Sequence, residues 1–117
     1  MEKRMAPVIM KVYDLILWFL PKLDKFPRSQ KFLLGDRIES MILKVMELLI
    51  EANYSQKRRK EALYAANLEL DKLRLLIRIS KDAHYLDFKA FVHQAKLIDE
   101  IGRMVGGWNN QAASSCS

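Results

Sequence analysis

An arginine and a histidine separated by five residues form the pair in this sequence that is best suited to catalysis. They are Arg78 and His84, in the segment RISKDAH. An arginine can stabilise the charge that develops on a phosphoryl group, and a histidine can act as a general acid or base, so the pair would suit phosphodiester cleavage. The pair also falls at a predicted helix end, where the helix dipole alone favours cations and histidines. Both explanations stay open at this point.

The spacing of Arg78 and His84 resembles the catalytic pattern of the all-helical HEPN ribonucleases, which is one hypothesis for the chain. The sequence contains no HExxH, no CxxC, no Gly-rich phosphate loop followed by Lys-Ser/Thr and no nucleophile elbow. His93 has Leu97 rather than a second metal ligand four residues on. We therefore expect no cofactor and no metal.

Clusters of cations suggest a second chemistry, because Lys and Arg side chains bind phosphates. KRRK occupies residues 57–60 at the expected start of a helix, where the positive end of the helix dipole makes cations unfavourable. Arg74 and Arg78 are a like-charge pair one turn apart, and Lys81 continues their face. The candidate nucleic-acid-binding residues are Lys25, Arg28, Lys31, Arg37, Lys57, Arg58, Arg59, Lys60, Arg74, Arg78 and Lys81.

Each cluster also has an explanation that involves folding alone. Glu61 can relieve the charge of residues 57–60 in a solvated turn. Glu69, Asp71 and Asp82 can neutralise the cations of the third predicted helix. None of the cations carries an evident base-reading specificity, so the chemistry they offer is recognition of a phosphate backbone.

The net charge of +6 is concentrated in the first half of the chain. Residues 1–60 hold 13 Lys and Arg against 7 Asp and Glu, whereas residues 61–117 hold 7 of each. Such an excess favours polyanions or an acidic protein surface, although it also serves solubility.

Four amphipathic helices, which must position these residues, are predicted from apolar residues at spacings of three and four. We expect them over residues 7–26, 29–53, 56–82 and 87–106. Their predicted buried seams are Val8, Val12, Leu15, Phe19 and Leu23; Leu34, Ile38, Met41 or Ile42, Val45, Leu48 or Leu49 and Ala52; Leu63, Ala66, Leu70, Leu73, Ile77 and Ser80; and Phe88, Phe91, Ala95, Ile98 and Val105.

Proline and capping residues predict where these helices begin and bend. Ser29 and Asp87 are the expected N-caps of the second and fourth helices. Pro21 predicts a kink in the first helix or an early end to it. Leu33 is expected to enter the core beside Leu34 and Ile38.

Glycines predict the end of the last helix and two close contacts. Gly106 and Gly107 are expected to end the fourth helix. Gly35 is expected to mark a close approach to a neighbouring backbone. Gly102 is expected to allow close packing, because a glycine inside a helix otherwise costs about 1 kcal/mol.

Short links between long helices predict an all-α fold, an antiparallel up-down-up-down four-helix bundle. Second apolar stripes widen the buried faces of the third and fourth helices and favour self-association, although a small bundle can also expose some apolar area. The two stripes are Tyr64, Leu68, Leu75 and Ile79, and Leu97, Ile101, Met104 and Trp108.

One domain is expected, a bundle over residues 1–108 with a disordered polar tail over residues 109–117. The single cysteine, Cys116, cannot form an intrachain disulfide, so a cytoplasmic location is expected. Lys11 and Asp14 interrupt the N-terminal apolar region, which predicts neither a signal peptide nor a membrane span.

Three long segments of the chain resemble a known family. They are FPRSQKFLLGDRIESMILKVMELLIEANYS, LYAANLELDKLRLLIRISKDAHYLDFKAF and LIDEIGRMVGGWNN. They are similar to the accessory variability determinant, Avd, of diversity-generating retroelements, within a wider group of four-helix bundles encoded in intervening sequences of bacterial 23S rRNA genes. LRLLIRISKD and IDEIGRMVGGW point to Avd rather than to the rRNA-linked group.

The resemblance implies a non-catalytic protein that forms a basic homopentamer. It implies binding to a reverse transcriptase, to RNA and also to DNA, in support of mutagenic copying of a template RNA. The alternatives are a HEPN-like ribonuclease that uses Arg78 and His84, and a purely structural oligomer of the rRNA-linked group.

Overall fold

The structure is a computed structural model that describes residues 5–115, with side chains described through residue 111. Over this part of the chain there are four long helices: α1 (Pro7–Asp24), α2 (Asp36–Tyr54), α3 (Arg59–Asp82) and α4 (Phe88–Ser115). A corner segment joins α1 to α2 and consists of one α-helical turn, Arg28–Gln30, and a π-helical stretch, Lys31–Gly35. The molecule measures 48 × 26 × 19 Å.

Each long helix packs mainly against two others. α1 lies against α2 and α4, and α3 lies against the same two helices. Because the links between consecutive helices are short, neighbouring helices run antiparallel. The predicted all-α four-helix bundle is confirmed.

The core forms along the predicted seams. Every residue of the predicted seams of α1 and α3 is buried, and α2 buries Ile38, Ile42, Val45, Leu49 and Ala52. α4 contributes Ile98, Ile101 and Val105, while Phe91 and Ala95 are half-buried. Phe88 is 71% exposed, so the predicted seam of α4 is wrong at its first residue.

Pro21 lies inside α1, which continues to Asp24 rather than ending early. The proline removes the hydrogen bond to the carbonyl of Leu17. Both Pro21 and Leu17 are exposed, so the interrupted side of the helix faces solvent and the free carbonyl can be hydrated.

The corner segment differs from the prediction in two ways. Ser29 is not an N-cap, because the turn is closed by the backbone amides of Gln30 and Lys31, which donate to the carbonyl of Pro27 at 2.8 Å. The π-helical stretch then shifts the helical register, and Leu33 is 65% exposed instead of buried. An added Cβ at Gly35 would meet its nearest atom at 3.7 Å, an ordinary contact, so that glycine marks no unusually close approach.

The other two links are short turns. α3 begins at Arg59, three residues later than predicted, and the backbone amide of Arg58 donates to Ser55 Oγ at 3.2 Å. Asp87 caps α4 as predicted, since its Oδ1 accepts from the backbone amide of Ala90 at 2.7 Å. His84, in the α3–α4 turn, has a left-handed backbone with φ of 66°.

The last helix continues through Gly106 and Gly107 to Ser115, so the predicted glycine stop is wrong. A glycine ends a helix when it adopts a left-handed conformation, and no described glycine has a positive φ. The helix passes through residues 109–115 of the segment predicted as a tail, while Cys116 lies outside the described residues.

Among the described residues, α1 and α3 each carry a row of four exposed apolar side chains, called here the α1 stripe and the α3 stripe. The α3 stripe is the predicted one: Tyr64, Leu68, Leu75 and Ile79, between 45% and 70% exposed. The α1 stripe was not predicted from the sequence and consists of Met10, Tyr13, Leu17 and Leu20, between 42% and 51% exposed. The predicted second stripe of α4 belongs instead to the bundle interior, because Ile101 is buried and the other three residues pack against the core.

Neither α1 nor any other helix within residues 5–115 combines the length and the apolarity that crossing a bilayer requires.

Candidate nucleic-acid interface

The structure distributes the eleven predicted cations over three regions rather than one surface. Lys25, Arg28, Lys31 and Arg37 lie at the α1–α2 corner, and residues 57–60 lie at the α2–α3 turn. The 19 residues of α2 separate these two ends by about 28 Å. Arg74, Arg78 and Lys81 lie along α3.

The α1–α2 corner and the α3–α4 turn meet at one end of the bundle. The rings of Phe26 and Tyr85, one from each link, lie 5.7 Å apart. Lys25, Arg28 and Arg37 are exposed at this end and have no ion pair with any carboxylate of the described chain. They are free to meet a phosphate.

Lys31, the fourth corner cation, is engaged within the chain. Its Nζ lies 2.7 Å from Asp24 Oδ1. The hydrogen bond from Lys31, and then its positive charge, lower the pKa of the Asp24 carboxyl. The pair closes the end of α1 onto the corner segment.

At the α2–α3 turn, two of the four consecutive cations serve the fold. Arg58 Nε lies 3.5 Å from Glu51 and its Nη2 lies 3.5 Å from Glu61. Arg59 Nε donates to the carbonyl of Ala52 at 2.8 Å, which satisfies an otherwise free acceptor in the last turn of α2. The Arg59 guanidinium also lies over the Trp108 ring at 5.4 Å. Lys57 and Lys60 are exposed, and the described residues give them no carboxylate partner.

The cations of α3 are neutralised by neighbours. Arg74 contacts Asp71 at 3.0 Å and Asp99 of α4 at 3.4 Å. Arg78 and Lys81 both reach Asp82, at 3.9 Å and 3.2 Å. Lys81 also lies 4.8 Å above the Phe91 ring. Gly102 gives the Arg74 side chain its space, since an added Cβ there would lie 2.9 Å from Arg74 Nη2.

Arg78 and His84 line different depressions of the surface. His84 lines a groove at the α3–α4 turn together with Lys81, Asp82, Leu86, Asp87 and Phe88. Arg78 lines a separate cavity with Arg74, Phe91 and Asp99. Asp82, which also lines the groove of His84, lies 3.9 Å from Arg78 Nε.

A set of basic and aromatic residues between α1 and α4 escaped the sequence analysis. Trp18 and His93 lie with their ring centroids 5.0 Å apart, and Lys22 Nζ lies 5.2 Å from the centre of the Trp18 ring. Lys89, His93 and Lys96 follow at helical spacing on α4. That spacing was visible in the sequence, but the α1 residues that face it become evident only from the antiparallel pairing.

The described side chains form no group of three or more His, Cys, Asp and Glu residues that could hold a metal ion.

A family model described as bAvd-like matches residues 8–112, which include all of α2 and α3, α1 from its second residue and most of α4. No curated protein matches the chain.

Proposed function

This chain belongs to the bAvd-like family, and on that premise we propose that it is a non-catalytic accessory protein of a diversity-generating retroelement. It binds the reverse transcriptase of the element and the template RNA, and it supports mutagenic copying of that RNA. The observation that carries the proposal is the family match over 105 of the 117 residues, from residue 8 to residue 112.

The charges support the nucleic-acid part of this function. Of the eleven candidate residues, the five exposed cations without a carboxylate partner are our proposed phosphate contacts: Lys25, Arg28, Arg37, Lys57 and Lys60. Folding contacts do not account for them, whereas the other six cations contact carboxylates, a carbonyl or a ring.

RNA binding is tested by fluorescence anisotropy with a structured RNA over a range of salt concentrations. Charge-driven binding weakens steeply with salt, and each lost phosphate contact lowers the slope of log affinity against log salt by about 0.9 on a duplex. A variant with Arg28→Gln, Lys57→Gln and Lys60→Gln should bind weakly and with a shallower slope. The control is Lys44→Gln with Lys72→Gln, which removes exposed charge elsewhere. Absence of binding by the parent protein at low salt, with and without the polymerase, would overturn the proposal.

Binding to the reverse transcriptase is tested separately, by copurification of this chain with the polymerase of its own element. The nuclease-treated mixture should still contain the complex if the contact is between proteins. A complex that dissociates entirely on nuclease treatment would replace the direct contact by a bridge of RNA.

Self-association is the last part of the proposed function. The α1 stripe and the α3 stripe lie on helices that do not pack against each other, so they face different directions. One copy can therefore place its α1 stripe on the α3 stripe of the next copy, a head-to-tail contact that forms a ring when the rotation closes. The pentamer implied by the family is such a ring.

A further inference from the structure

We propose that the face between α1 and α4 binds a single-stranded segment of nucleic acid, with bases on Phe88 and His93 and phosphates at Lys22, Lys89 and Lys96. This inference rests on the proposed function and adds a site to it. The five proposed phosphate contacts above lie at the corner and at the α2–α3 turn, and none of them is on α4.

The register of the two helices brings these residues together. Three contacts define it: Lys11 with Glu100 at 3.4 Å, Trp18 with His93, and Phe26 with Tyr85. From the first contact to the second, the residue number rises by seven on the α1 side and falls by seven on the α4 side. From the second contact to the third, it rises and falls by eight, as antiparallel pairing requires. The same register places Lys22 of α1 level with Lys89 of α4, one turn away from the Trp18–His93 contact.

The charge of this face is not compensated. Lys89 and Lys96 are exposed, Lys22 is half-buried, and none of the three has an ion pair with a described carboxylate. The neighbouring carboxylates have other partners: Glu100 binds Lys11, Asp99 binds Arg74, Asp24 binds Lys31 and Asp87 caps α4. Asp14 is the one neighbouring carboxylate without an ion pair in the described chain, so the three lysines outnumber it. Lys22 contacts the Trp18 ring within the fold, whereas Lys89 is exposed and has no carboxylate partner among the described residues.

The aromatic groups on this face include two exposed rings. His93 is exposed and is supported from beneath by Trp18, which in turn meets Phe19 edge-on at 5.0 Å. Phe88 is 71% exposed and lines one groove with Lys89, Val92, His93 and Lys96. A nucleic-acid base can stack on the exposed Phe88 ring, and its phosphate can bind the neighbouring lysines.

A single strand fits this face better than a duplex does. The bases of a duplex are stacked on one another, so their faces cannot reach Phe88 and His93. A single strand offers both free base faces and phosphates, and such binding tolerates any sequence. An acidic peptide would satisfy the lysines but not the rings.

Trp18 provides a direct probe of occupancy. The chain has two tryptophans, so Trp108→Phe leaves Trp18 as the single tryptophan, whose emission can be excited selectively over that of the tyrosines. Titration with a twelve-residue oligouridylate should change the Trp18 emission saturably, with little change on adding a duplex RNA of the same length. A glutamate-rich peptide that changes the emission as strongly as oligouridylate would overturn the assignment, as would unchanged emission while anisotropy reports a bound oligouridylate.

Two variants test the groups themselves. Phe88→Ala removes an exposed ring, so folding should be preserved, and oligouridylate affinity should fall about tenfold. Lys22→Gln with Lys89→Gln should reduce the salt slope on single strands by about 1.4. Lys44→Gln with Lys72→Gln is the matched control, because it removes two lysines away from this face.

The outcomes separate this inference from the proposed function. If the parent protein binds no RNA at low salt, both fail. If it binds RNA and the α1–α4 variants bind oligouridylate as the control does, the site fails and the proposed function stands.

Discussion

At the scale of single residues, the structure separates cations that stabilise the fold from cations that remain available to a partner. In the sequence, Arg58, Arg59 and Arg74 count as cations just as Lys57 and Lys60 do. In the structure, the three guanidinium groups contact carboxylates, a backbone carbonyl or a ring. Their partners lie up to 49 residues away in sequence, as Trp108 does from Arg59. Charge patterns alone cannot identify such partners.

Replacement of Arg59 by alanine tests this division. The change leaves the Ala52 carbonyl without its donor and removes the guanidinium from Trp108, so we expect a loss of about 1–2 kcal/mol in the free energy of unfolding. Chemical denaturation followed by circular dichroism measures it. Lys44→Ala, at an exposed position without an ion pair, should change stability by less than about 0.5 kcal/mol. Equal effects of the two changes would contradict the structural role of Arg59.

The Asp24–Lys31 contact should appear in the pH dependence of stability. Because Lys31 lowers the pKa of Asp24 in the folded chain, the pair stabilises the fold above about pH 4, the ordinary range of the carboxyl, and this contribution is lost as the pH falls through the lowered pKa. We expect Asp24→Asn to lower the melting temperature at pH 7 in low salt, by a difference that shrinks as the solution is acidified.

Asp14→Asn is the control for that measurement, since Asp14 is exposed and has no ion pair in the described chain. A difference between Asp24→Asn and the parent protein that is as large at pH 2.5 as at pH 7 would contradict the assigned role of the pair.

At the scale of elements, the sequence predicts the helices and their buried seams well and their ends less well. The seams follow from the spacing of apolar residues, and the cap at Asp87 is a local hydrogen bond, so both could be predicted. The conformation of the corner segment could not be predicted in this way. Its π-helical stretch shifts the helical register, and neither Ser29 nor Leu33 carries a local sequence signal for that shift.

The glycines of α4 test the helix end directly. Gly107 is exposed, has helical geometry and would place an added Cβ in open space, so Gly107→Ala should stabilise the protein by about 0.5–1 kcal/mol. Gly102→Ala should give less, because its Cβ would displace the Arg74 guanidinium from Asp99. Thermal unfolding of both variants measures the difference. A destabilising Gly107→Ala would show that α4 ends at that glycine, as the sequence analysis expected.

The candidate site shows the limit of prediction between elements. The helical spacing of Lys89, His93 and Lys96 can be read from the sequence. That Trp18 and Lys22 lie beside them cannot, because this follows from the antiparallel pairing of α1 with α4. The same pairing explains the α1 stripe: with its seam directed to the bundle, Met10, Tyr13, Leu17 and Leu20 are left outside.

At the scale of the whole molecule, the two exposed apolar stripes and the unpaired lysines lie on different parts of the surface. The α1 stripe points away from the bundle on the opposite side of α1 from its buried seam, and the α3 stripe does the same on α3. Exposed apolar residues in such rows are typical of surfaces that associate. The ring proposed above would leave both ends of each bundle, with their cations, accessible to the proposed RNA and polymerase partners.

Charge introduced into one stripe at a time distinguishes a head-to-tail ring from a symmetric dimer. Leu17→Glu alters the α1 stripe and Leu75→Glu alters the α3 stripe, and a buried carboxylate at either interface is costly enough to prevent assembly. Each variant alone should therefore be a monomer by light scattering coupled to size exclusion. Mixed in equal amounts, the two should form a dimer and nothing larger, because only the intact α3 stripe of one and the intact α1 stripe of the other can still meet.

Leu43→Glu, at an exposed leucine outside both stripes, should leave the parent assembly unchanged. A Leu17→Glu protein that still assembles would show that the α3 stripes pair with each other, and the head-to-tail ring would be wrong.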